Sequence, residues 1–156
     1  MNFQTLLNLY LVLHITGFTI MAGAVLADFS ISARLNKYLS TDKGRALILL
    51  EASAGLAPLI GAGTLLLILT GTGMVIELKS AVTQALWFRV KLPLVLLVVL
   101  NGAVLARPAT LRLKKLLLDG NAGSDSIDPI RNRRRAIYIL QLLLFVAIFI
   151  LSIFKF

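Results

Sequence analysis

His14 is the single histidine of the chain and lies about eleven residues into an apolar run that opens at Phe3. At about 1.5 Å per residue the ring falls near the middle of a hydrocarbon layer, where an ionisable group calls for a reason. Imidazole suits two roles there, ligand to a haem iron or metal ion and proton-transfer group. A neutral ring bonded to a backbone carbonyl, or to a threonine of a neighbouring helix, would instead serve as packing glue. Arg89 and Lys91 follow Trp87 at the start of another apolar run. Arg89 can lay its stem along apolar surface with its head at the interface. Lys91 is deeper, a turn or two above the level of His14, so the two can line one cavity that would attract a carboxylate or another anion. The candidate catalytic pair is therefore His14 and Lys91. A cofactor would be held by His14, Lys91 and Arg89, and a metal ion by His14.

The remaining residues narrow the chemistry. The chain has no cysteine, which excludes thiolate metal sites and cysteine nucleophiles. One histidine excludes any site needing two imidazoles from one chain, and no G-x-S-x-G elbow accompanies it. Gly61, Gly63, Gly71 and Gly73 resemble a nucleotide loop only superficially, since no strand precedes them; with Gly17 they read as close-contact positions between helices. Asp28 and Glu51 lie near Arg34, Arg45 and Arg107, where surface ion pairs are expected, although Ala52, Ser53, Ala54 and Gly55 would allow Glu51 to be buried at a helix contact. Glu77 is placed to pair with Arg89 or Lys91. Asn101 and Gln141 suit interhelical hydrogen bonds.

These residues need apolar helices to position them, and the composition supplies them. The chain is 58% hydrophobic and 15% charged over 156 residues, too apolar for one water-soluble core of this size. Four apolar runs, at 3–27, 46–76, 85–106 and 136–156, predict an all-α polytopic membrane protein, a four-helix transmembrane bundle forming a single domain over 1–156. The second run would be about 46 Å of straight helix, so a kink is expected at Pro58 among its glycines. The first run lacks a basic n-region and exceeds a usual signal-peptide core, so cleavage is not expected. Between the last two runs, 108–119 opens with proline and places Ala109, Leu113, Leu116 and Leu117 on one face, which predicts an amphipathic helix on the cytoplasmic side. Residues 120–130 read as a turn.

The net charge of +9 raises the question of nucleic acid, but position answers it. Twelve of the sixteen basic residues lie in the first loop (Arg34, Lys37, Lys43, Arg45) and the third (Arg107, Arg112, Lys114, Lys115, Arg131, Arg133, Arg134, Arg135). Lys79, Arg89, Lys91 and Lys155 fall on the other side. The positive-inside rule then puts both loops in the cytoplasm and both termini outside the inner membrane. The partners expected are the lipid bilayer, anionic lipid headgroups at the cytoplasmic face and further copies in a homo-oligomer, with no nucleic acid.

The segment LHITGFTIMAGAVLADF at 13–29, a basic loop, and WFRVKLPLVLLVVLNG at 87–102 resemble the small four-helix bacterial membrane proteins of the HemJ-type protoporphyrinogen oxidases and the CopD-type copper-resistance proteins, together with a related uncharacterised membrane family. The HemJ-type resemblance implies a functional pair matching His14 and Lys91, and haem b or a porphyrin within the bundle. That family has a further histidine where this chain has Asn101 and Gly102, so two-imidazole ligation would need His14 from two subunits, or Met21 or Met74 as second ligand. The resemblance makes a membrane redox protein the leading expectation. A non-catalytic assembly or accessory subunit and a small transporter subunit acting as an oligomer are the alternatives.

Overall fold

The computed structural model describes residues 2–39, 41–78, 85–118 and 124–154. Every element among them is helical: α1 (Phe3–Tyr38), α2 (Lys43–Gly55), α3 (Ala57–Leu78), α4 (Leu86–Leu100), a π-helical segment (Asn101–Ala106), α5 (Arg107–Leu118) and α6 (Ser124–Ile153). Three helical stretches are long and apolar enough to cross a membrane: Phe3–Tyr38, Lys43–Leu78 and Pro129–Ile153.

Local chemistry sets the boundaries. Asn2 caps α1 by accepting from the Thr5 amide at 2.9 Å, and Asp42 caps α2 by accepting from the Arg45 amide at 3.0 Å. The helix that carries the first run, 3–27, continues to Tyr38. No glycine or proline follows to stop the helix, and it continues because Leu35 and Leu39 find a second core. The expected kink in the second run is a break at Leu56, two residues before Pro58. Pro58 has no N–H for the Ala54 carbonyl, and the Leu56 amide turns back to Ser53 at 3.1 Å.

The third run, expected as one span over 85–106, divides into α4 and the wider π turns. These lie just before Pro108, which lacks the N–H that would serve Val104. The division leaves α4 at 15 residues. The fourth helix begins at Ser124 rather than 136, so the part of the predicted turn from 124 onwards is helix. Lys79, residues 119–123 and Lys155 lie outside the described residues.

Two apolar cores stack along the bundle. One joins Met21 and Val25 of α1, Val98 of α4, and Leu144, Phe145 and Ile148 of α6, flanked by Ile60 and Leu67 of α3. The other, at the basic end, joins Leu35, Leu39, Ala46, Leu50, Leu113 and Leu117. Between them lies a polar layer of Asp28, Ser32, Ser53, Asn101, Arg134 and Gln141, all buried. The outside is apolar: Leu65, Leu69, Leu96, Leu143 and Val146 are all more than half exposed. Apart from glycine, the only buried residue of the apolar helix α3 is Thr70. Apolar outside with polar inside suits surroundings that are themselves apolar.

Candidate functional site

His14 lies where α1 crosses α3 antiparallel, and glycine makes the crossing close. A Cβ on Gly63 would come within 2.8 Å of the Gly17 carbonyl oxygen and the Met21 amide, and the Tyr10 ring lies over Gly73. One turn from each contact, the His14 ring reaches Thr70 with Nδ1 2.9 Å from Oγ1. Thr70 commits its hydroxyl proton to the Leu66 carbonyl at 2.6 Å. Its oxygen therefore accepts from Nδ1–H, and the neutral ring carries its lone pair on Nε2. The Leu67 backbone also hydrogen-bonds the ring, and the half-buried Lys91 is within electrostatic reach of it. Arg89 is exposed on α4.

The expected alternatives for a second ligand part company. Met21 is packed in the upper core, and its sulfur accepts from the Thr64 hydroxyl at 3.3 Å. Met74 is half-buried on α3. Among the described residues no group of three His, Cys, Asp or Glu side chains is placed to hold a metal ion.

The polar layer is a second site. Asp28, expected in a surface ion pair, is instead buried, because helix α1 continues past it into the second core. One carboxylate oxygen accepts from the Ser53 hydroxyl and the other from the Tyr138 hydroxyl at 2.6 Å. Tyr138 in turn accepts from Arg134 Nη2 at 3.3 Å, and the guanidinium also lies over the Tyr138 ring, 5.8 Å from its centroid. Arg134 is only 2% exposed, and its Nε and Nη1 have no hydrogen-bond partner among the described residues. Asn101 donates to the Ile137 carbonyl at 3.1 Å and to Gln141 Oε1 at 2.6 Å, and its own Oδ1 has no partner. Glu51, which the small residues after it would have allowed to be buried, is exposed. Among the described residues an ion pair joins Arg45 to Asp42 at 3.2 Å.

Sequence reasoning had no role for Tyr138 or Arg134 in this layer. Arg134 was hidden within the basic run 131–135. The signal was present all the same: Arg134, Tyr138 and Gln141 stand at i, i+4 and i+7, a polar stripe on an otherwise apolar helix.

Compared with known proteins, the sequence matches no family model, no curated protein and no solved structure.

Proposed function

We propose that this chain is an integral membrane protein crossing the inner membrane four times, with both termini outside. On this reading His14 is the ligand or proton-transfer group for a bound haem b or porphyrin. Three long apolar helices support the membrane reading, as does a lipid-like exterior. The fourth crossing is α4, whose Val98 shares the upper core with α1 and α6.

The observation that carries the cofactor reading is the state of the imidazole. Thr70 fixes the tautomer and orientation through Nδ1, as outer partners of ligating histidines do, and Nε2 is left as the donor. The donor set would supply one imidazole ligand, since the chain has no other histidine. Lys91, half-buried and within electrostatic reach of His14, would receive a propionate, with Arg89 nearer the interface. A haem held there would supply one-electron redox chemistry.

The test is an absorption spectrum of the gently solubilised protein with and without added haemin. A Soret band that His14→Ala abolishes is expected, with Lys91→Gln weakening the uptake. Absence of any spectral change with haemin overturns the reading. The Thr70 bond alone also favours a second reading, in which His14 only ties α1 to α3 within a non-catalytic accessory subunit. His14→Ala and Lys91→Ala would then leave the protein's behaviour in cells unchanged.

A further inference from the structure

Beyond the His14 site, at the basic end of the molecule, α5 and the start of α6 enclose an open groove of about 410 Å³, within the ~300–1,000 Å³ typical of small-molecule sites. Three cations border it, Arg112, Lys115 and Arg133, and Pro108, Leu111 and Ile130 make its apolar wall. A second hollow adjoins it around Arg112, Lys115 and Leu116. No carboxylate lines either hollow among the described residues. We propose that this groove binds the headgroup of an acidic phospholipid, its phosphate among the three cations and its glycerol and upper acyl chain along Leu111 and Ile130.

Position, charge and shape each point that way. The proposal rests on the reading that this end of the bundle faces the cytoplasm. Arg133 stands three residues before the fourth predicted span and Arg112 six residues after the third, about 5 and 9 Å along a helix, which is headgroup depth. A cleft bordered by three cations, with no carboxylate among its described lining residues, focuses a positive field that attracts phosphate. Leu111 is 67% exposed, an apolar surface that a free phosphate would leave uncovered and a lipid would cover.

The experiment titrates the full chain, purified in zwitterionic detergent, with short-chain phosphatidylglycerol, counting bound lipid by native mass spectrometry. Phosphatidylcholine of equal chain length and inorganic phosphate are run beside it. Saturable phosphatidylglycerol binding, well above phosphatidylcholine, is expected. Each cation near an anionic headgroup is worth about a factor of five, so the triple variant R112Q/K115Q/R133Q should bind about a hundredfold more weakly. The single variants R112Q and R133Q, each about fivefold weaker on the same scale, carry the test if the triple variant does not fold. The equal-charge control R34Q/K37Q/R135Q should bind like the wild type.

Equal losses in the two triple variants would reduce the effect to a diffuse field and overturn the site. Inorganic phosphate binding as tightly as the lipid would overturn the choice of ligand. Orientation is checked separately: in this cysteine-free chain, Lys114→Cys labelled from outside the cell would sink the topology while leaving the detergent titration standing.

Discussion

Tyr138 is the hinge of the polar layer, because one hydroxyl serves both a carboxylate and a guanidinium. Its loss would strand two charged groups, and hydrogen bonds to charged groups are worth about 1.5–3 kcal/mol, against ~0.6 kcal/mol for an average polar contact between membrane helices. Tyr138→Phe should therefore lower stability by about 2 kcal/mol. Gln4→Ala, whose exposed amide bonds only Asn8, should change it little. Unfolding in mixed micelles of increasing denaturing detergent measures both, and equal stabilities would contradict the layer's role. At this scale the sequence was legible for His14, whose threonine partner was one of two kinds foreseen, and for Asn101 with Gln141. Asp28 misled because the nearest charges in sequence, Arg34 and Lys37, are cations, whereas its neighbours in space are Ser53 and Tyr138, 25 and 110 residues away.

Among the elements, the α1–α3 crossing separates glycines that look alike in sequence. Gly63 faces Gly17 and Met21 backbone at distances no Cβ tolerates, while a Cβ on Gly61 would meet nothing within 4 Å. Because the clashing atoms are backbone, the helices themselves would have to part, and overpacking of this kind costs about 1–3 kcal/mol. Gly63→Leu should thus destabilise the fold, whereas Gly61→Leu should leave the monomer intact, as thermal unfolding of the two variants would register. A change in assembly caused by Gly61→Leu alone would place an intermolecular contact on that open face. Apolar runs were readable because hydrophobic length is a property of sequence, and three helical stretches are long and apolar enough to cross a membrane. Their ends were not: a helix stops where its last turn finds no partner, and the partners of Leu35 and Leu39 are supplied by α2 and α5.

For the whole molecule, the distribution of basic residues makes a claim about direction. With the loops around 34–45 and 107–135 inside, single cysteines at Asn2 and at Arg135 should react with an impermeant thiol reagent in intact cells at the first position only. The reverse pattern would invert the protein. The outward apolar surface, read from composition alone, is matched by the structure at Leu65, Leu143 and Val146. What composition could not convey is that polarity is sorted lengthwise as well, with a hydrogen-bonded layer separating two cores.

That sorting has a mechanical outcome. If the layer marks the bilayer's edge, then Leu35, Leu50 and Leu113 on its far side are clustered by expulsion from water, while Met21, Val98 and Phe145 are held by close fit within hydrocarbon. Urea, which acts by solvating apolar and peptide groups from the aqueous phase, would grip one end alone, so the molecule would fray from its basic tip while its embedded part stayed folded.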